Sequence, residues 1–412
     1  MVLVAVTVAV VLTAPRPTGF TDPHTDDPAV RGLRTWNLDA IGAPEAWELG
    51  RGEGATVAIL DSGIDLDHPD LRGRIVGGVS CIGSGGDPDR CSGSPDDRNG
   101  HGTHVAGIVA AEADNGRGIA GVAPDARLLA VQVLADQCLD PGCVAEGAAT
   151  DVAAGIDWSV DHGADVINLS LAPTEQGTVD PELERAVLDA WQRGVVLVAA
   201  AGNDEPSDEF ADLPVIVVTA LDRSGRLAAY SQGVGEAGWA LAAPGGQIGD
   251  TAESCTAGGE PAGILSTWSG SDGADEYACL AGTSMASPHV AGAAAVLMAS
   301  GLGADETVHR LLSTATDLGE PGADASYGAG ALDLARAVDP TIDPSVGTAR
   351  YEAASGAGPE SAVNAQDPTR PPTEELPRPF LAVLATSAAA LVTSLVILYR
   401  ARRRTPPTAQ PG

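Results

Sequence analysis

The sequence predicts an α/β domain built on a doubly wound, mostly parallel sheet with helices on both faces, followed by one C-terminal transmembrane helix. Three observations predict it. Short apolar runs without polar alternation recur through the middle of the chain, helical stretches separate several of them, and a 20-residue segment without a charge lies near the C-terminus. Strands buried on both faces read as continuous apolar runs, and their alternation with helices is the pattern of βαβ winding.

The chain opens on "MVLVAVTVAVVLTA", an apolar run the length of a signal-peptide core and short for a membrane span. It lacks the usual positive start, so an atypical signal and missing first residues both stay open. Residues 1–20 are assigned to this segment and 21–35 to a short N-terminal extension. Strand-like runs follow at "TVAIL" (56–60), "LLAVQVL" (128–134), "DVINLSL" (165–171), "VVLVAAA" (195–201) and "VIVVTA" (215–220). Helical stretches stand at 103–113, 145–163 and 181–194, the last with Pro at its start, acids in its first turn and Gly at its end. A further helix, "PHVAGAAAVLMAS", is expected to begin at Pro288, with Ser284 as a candidate cap before it. The domain, 36–338, closes at "YGAGALDLARAV".

Residues 339–379 turn Pro/Ala-rich without periodicity and read as a disordered stalk. Phe380 to Tyr399 is long enough, at 1.5 Å per residue, to cross a bilayer core of ~30 Å. "RARRR" opens the tail, 400–412, and by the positive-inside rule it stays in the cytoplasm while the main domain lies outside. The expected location is a single-pass membrane protein with an extracytoplasmic domain.

Composition narrows the partners. Aromatics are only 3% of the 412 residues, so the core is expected to consist of Ala, Val, Leu and Ile. There is no lysine, and 23 arginines face 56 acids for a net charge of −33. Such a chain repels phosphate backbones, which excludes nucleic acid as a partner. Six cysteines fall in three neighbouring pairs, Cys81 and Cys91, Cys138 and Cys143, Cys255 and Cys279. An even count in an exported protein reads as disulfides, and those neighbours are the obvious pairing among the connectivities open to six cysteines. None has the two-residue spacing of a zinc knuckle.

Ligands of open parallel sheets bind beyond the carboxyl ends of the strands. The first run ends in "DSGID" and delivers Asp61; "VVLVAAA" ends in "GND" and delivers Asn203. "HGTHVAG" supplies His101 and "GTSMASPHVAG" supplies Ser284, each where a helix begins. Singly, each has an ordinary reading as a turn, cap or packing residue. Together they form an orienting carboxylate, a base, a nucleophile and an oxyanion donor.

"AILDSGIDLDHPDL", "NGHGTHVAGIVA" and "GTSMASPHVAG" resemble the three motif blocks of the subtilisin-like serine proteases, in that family's order of Asp, His and Ser, and "AAAGN" adds a fourth. The likeness runs from about Trp36 to Val338 and implies a subtilisin-like fold. It implies catalysis by Asp61, His101 and Ser284 with Asn203 in the oxyanion hole, and a peptide or protein substrate. No cofactor is implied for the chemistry. Ser170, Leu171 and Ala172 match the family's substrate-pairing segment, and Ala200 and Gly202 are further candidates for binding substrate. A structural calcium is a family trait for which Asp70, Asp114 and Asn115 are the candidate ligands. His68, His104 and His289 are expected to be structural. Four acids within 204–209 suggest a preference for a basic residue before the cut bond. Secreted subtilisins carry a long propeptide, whereas 35 residues precede Trp36, so folding without that helper is expected. Stalk, anchor and basic tail together resemble the mycosins, membrane-bound subtilases tied to a secretion machine. That likeness adds secretion-machinery proteins as partners. The alternative expectation is a structural component of a secretion complex that uses the fold for docking.

Overall fold

The computed structural model describes residues 26–31, 35–139, 142–171, 179–203, 210–235, 237–247, 261–269 and 277–343. In chain order the strands are β1 (Thr56–Asp61), β2 (Ile75–Ser80), β3 (Arg127–Gln132), β4 (Ala135–Leu139), β5 (Gly142–Glu146), β6 (Val166–Leu169), β7 (Val196–Ala200), β8 (Val215–Leu221), β9 (Ala240–Pro244), β10 (Ile264–Thr267) and β11 (Tyr277–Leu280). The longer helices are α1 (His101–Ala110), α2 (Ala149–Asp161), α3 (Pro181–Gln192), α4 (Thr283–Ala299) and α5 (Ala304–Thr314).

Seven strands make one sheet in the order β2-β3-β1-β6-β7-β8-β9, and every neighbouring pair in it is parallel. Residues throughout β1, β6, β7, β8 and β9 are buried, which is why these strands lack polar alternation. Successive residues serve opposite faces. Val57 and Ile59 pack with α1 and α4, while Ala58 and Leu60 pack with α2 and α3. The expected doubly wound domain is present.

Helices on the two faces are built differently. In α3 the buried residues Leu183, Ala186, Val187 and Ala190 form one stripe, and Asp180 caps the first turn through the N–H groups of Glu182 and Leu183. In α4 nearly every residue from Thr283 to Leu297 is buried, so the helix runs through the core. It also begins earlier than expected. Its first residue is Thr283, so Ser284 lies inside the first turn rather than capping it, and Pro288 lies within the helix. Pro288 has no N–H for the carbonyl of Ser284 one turn back. The Ser170 hydroxyl donates to that carbonyl instead, at 2.8 Å.

Several elements escaped the sequence pattern. The edge strand β2 is half-exposed, glycine-containing and bulged between Ile75 and Gly77, so it shows no apolar run. In β9 the sequence "ALAAP" is too alanine-rich to stand out. Cys81 and Cys91 form a disulfide, and Cys138 and Cys143 stand opposite each other in the β4–β5 register. Cys279 is disulfide-bonded, while Cys255 lies outside the described residues. Among the described residues no helix is long and apolar enough to cross a membrane. The signal-like segment, most of the stalk and the expected membrane helix at 380–399 lie outside them.

Candidate active site

Three adjacent parallel strands, β1, β6 and β7, end at the same edge of the sheet. Their ends supply Asp61, Ser170 and Asn203, and the first turns of α1 and α4 bring His101 and Ser284 to the same place.

Asp61 is fully buried, and its Oδ1 accepts from the N–H of Ser62 at 2.7 Å and from Nδ1 of His101 at 2.8 Å. That contact assigns the imidazole proton to Nδ1 and leaves Nε2 as the free acceptor. The His101 side chain is 27% exposed. Burial pulls its pKa down, but the Asp61 charge and hydrogen bond, with the charge of Asp97 beyond, hold it above the ordinary histidine value. Such close approach of α1 to β1 requires Gly102, where a Cβ would stand 2.1 Å from the carbonyl oxygen of Gly63.

Asn203 is held by its oxygen. Oδ1 accepts from the N–H of Thr283 at 2.9 Å and from the Thr283 hydroxyl at 3.1 Å, so the amide nitrogen is turned away from Thr283. A Cβ on Gly282 would stand 3.4 Å from that nitrogen and 3.7 Å from the backbone nitrogen of Ser284. Glycine therefore keeps open a space flanked by two N–H donors. The Ser284 hydroxyl donates to the carbonyl of Ser170 at 3.2 Å.

A carboxylate, an imidazole, a serine and a pair of N–H donors thus gather at one sheet edge. The profile of the subtilase family, Peptidase S8, matches residues 52–330. The chain belongs to the subtilase family. It is a serine endopeptidase. It is 38% identical to the thermophilic serine proteinase of Bacillus sp. (strain AK1) over 69% of its own length, spanning 62% of that protein. Thermitase of Thermoactinomyces vulgaris is also 38% identical, over 70% of this chain and 91% of its own. A solved protease structure from Pseudoalteromonas arctica is 31% identical with a TM-score of 0.61, covering 76% of this chain and 98% of that one.

Around the site of this subtilase, Ser170, Ala200 and Gly202 are buried and Leu171 is half-buried. Ala172 and the acidic segment 204–209 lie outside the described residues. His104 and His289 are buried, and burial lowers their pKa values to about 3 and about 4. Both are neutral packing residues. His289 joins Met285 O to the Asn37 amide, and His104 Nε2 contacts the carbonyls of Ile264 and Ala278. His68 is buried with its ring edge-on to Tyr277.

The calcium expectation meets a different chemistry. A calcium site needs oxygen lone pairs converging on one point. At Asp70 the converging atoms are hydrogen-bond donors. Oδ1 accepts from Asn115 Nδ2 at 2.9 Å, and Oδ2 accepts from the Tyr277 hydroxyl at 2.8 Å and the N–H of Ile119 at 3.3 Å. Asn115 Oδ1 is turned to the N–H of Arg117, which fixes the amide that way round. Asp114 points to Arg51 at 2.8 Å, while the buried Asp27 takes the N–H groups of Asp114 and Asn115. Asp70, Asp114 and Asn115 therefore do not form a calcium cage.

Two contributors were missed from sequence. Asp97, hidden among the abundant acids, sits buried behind His101 and accepts five hydrogen bonds. Ser170 was read as substrate wall alone, yet it also braces the backbone of Ser284.

Proposed function

We propose that the chain cleaves peptide bonds through an acyl-enzyme on Ser284, with His101 as general base and acid, Asp61 as its orienting carboxylate and Asn203 as oxyanion donor. One observation carries this reading: the imidazole of His101 is tied through Nδ1 to the buried Asp61 at 2.8 Å, which leaves Nε2 free to take a proton. The step begins when the Ser284 hydroxyl exchanges the Ser170 carbonyl for Nε2. As Oγ attacks the scissile carbonyl its proton passes to His101, and the imidazolium is stabilised by Asp61. The carbonyl oxygen, now negative, settles between the Asn203 amide and the N–H of Ser284, helped by the positive end of α4. His101 returns the proton to the leaving amine, and water repeats the sequence on the acyl-enzyme.

The same proposal places the enzyme on the outer side of a membrane. Support comes from the uncharged segment Phe380 to Tyr399 and the five residues "RARRR" that follow it. The arrangement is that of an anchored, mycosin-like subtilase, with exported or secretion-machinery proteins as substrates and partners. A serine-directed fluorophosphonate tests the chemistry. Labelling of the wild type and none of Ser284→Ala is expected; equal labelling of the two defeats the reading. Protease shaving of intact cells that spares the domain defeats the outward location.

A further inference from the structure

The carboxylate of Asp97 is 4% exposed and surrounded by donors. Its Oδ1 accepts from the Ser62 hydroxyl at 3.0 Å and from the N–H groups of Asn99 and Gly100 at 2.9 and 3.0 Å. Its Oδ2 accepts from the N–H and hydroxyl of Thr103 at 3.0 and 2.6 Å. Five donors on two oxygens fit an ionised carboxylate, whereas an asparagine turns its own N–H groups against one set. Of the first-turn N–H groups of α1, that of Thr103 is the one given to this anion, while those of His101 and Gly102 go to Asn99 and Ser62.

Ser62 joins this anion to the site. Its N–H donates to Asp61 Oδ1, its hydroxyl donates to Asp97, and the same hydroxyl accepts from the N–H of Gly102. Asp61, Ser62, Asp97 and the turn carrying His101 therefore form one closed circuit of hydrogen bonds.

We propose that Asp97 is a positioning residue of the reaction, a second buried carboxylate that fixes the entry of α1 and lends its negative charge to the imidazolium form of His101. It fixes that turn through Gly100 and Thr103, while the Ser62 hydroxyl offsets part of its charge. The inference rests on His101 being the base. Facing that imidazole are Asp61 from β1, Asp97 from the loop before α1 and His104 from α1 itself. The indole of Trp268 packs beside Gly100, next in the chain to His101, and carries no charge. With both carboxylates ionised, His101 holds a proton more readily and is the stronger base.

The test is Asp97→Asn in the full chain, with kcat and KM on a peptide substrate followed across pH beside a thermal melt. The acidic limb of kcat/KM is expected to move down by about half a pH unit, because one of two anions stabilising the imidazolium is gone. A fall of about tenfold in kcat at the plateau follows from the weaker, less well placed base, with KM little changed. A lower Tm with the limb unmoved means a merely structural residue and overturns the proposal. Should Asp97→Asn not fold, Ser62→Ala keeps both carboxylates but strips a donor from Asp97, so the limb is expected to move up; an unmoved limb again overturns it. Fluorophosphonate labelling of the wild type separates the two layers. Labelled wild type with an unmoved limb sinks Asp97 alone, and unlabelled wild type sinks the base assignment and Asp97 with it.

Discussion

Ser170 and Ser284 are hydrogen-bonded to each other twice, in opposite senses: the Ser170 hydroxyl donates to the Ser284 carbonyl at 2.8 Å, and the Ser284 hydroxyl donates to the Ser170 carbonyl at 3.2 Å. The first bond is made room for by Pro288, and the Ser170 oxygen is further fixed by Asn168 and Ser287 at 2.8 and 2.9 Å. One donated and two accepted bonds exhaust what a hydroxyl can make. Ser170 is therefore a fixed brace, and Ser284 is the partner free to turn.

Ser170→Ala removes the side-chain donor from a carbonyl that Pro288 has already deprived of its helical one. A loss of about 1–3 kcal/mol in stability is expected, the cost of an unmet buried acceptor. Urea melts measure it, and a shift of zero would show that the brace carries no load.

Asn203→Ala takes one of two donors from the proposed oxyanion space. Turnover is expected to fall about 10²–10³-fold with little change in KM, since the charge exists only in the transition state. Thr283→Val, which removes one of the two donors that fix the Asn203 amide and leaves the backbone N–H, is expected to cost part of the same factor. An unchanged kcat in Asn203→Ala removes the residue from the mechanism.

pH acts on three histidines in two directions. The pKa of His101 is raised above 6.5, so the acidic limb of kcat/KM is expected above that pH, activity falling as the base becomes protonated. His104 and His289 are lowered, to about 3 and about 4. For these the unfolded chain takes up protons first, so their contribution to stability is complete above 6.5 and drains as the pH falls toward 4 and 3. Melting temperatures recorded from pH 8 to pH 4 are expected to fall on the acid side. Replacing His289 by glutamine is expected to flatten that fall, and an unchanged slope would dismiss the explanation.

Chelator is expected to leave the melting temperature unchanged, because donors rather than lone pairs converge on Asp70. Tyr277→Phe removes one of those donors from a fully buried carboxylate and is expected to cost about 1.5–3 kcal/mol. A melting point lowered by chelator and restored by calcium would reverse this account.

The parallel sheet was legible because β1, β6, β7 and β8 are buried on both faces and therefore written as unbroken apolar runs. The edge strand β2 was not, since half of it meets water and its bulge breaks the pattern. Asp61, His101, Asn203 and Ser284 were legible as residue types at strand and helix ends. Their hydrogen-bond partners were less so: Ser170 stands 114 positions from Ser284, and Asp97 is one acid among 56. The start of α4 was misplaced because Pro288 looks like a first-turn residue, and the Ser170 hydroxyl, supplied from just past the end of β6, explains how it is tolerated deeper in. The calcium ligands were misjudged because Asp70 keeps its place while Tyr277 and Asn115 alter what surrounds it.

The burial of α4 on every side has a consequence for how this enzyme ages and mutates. Ser284, the proposed nucleophile, rides on a helix so deeply buried that its amide hydrogens are expected to exchange only when everything else has come apart. Loops at the rim can fray, be nicked or accept insertions while the chemistry survives. Conversely, substitutions along residues 285–297 are expected to abolish activity by emptying the cell of folded protein, long before they alter a rate constant.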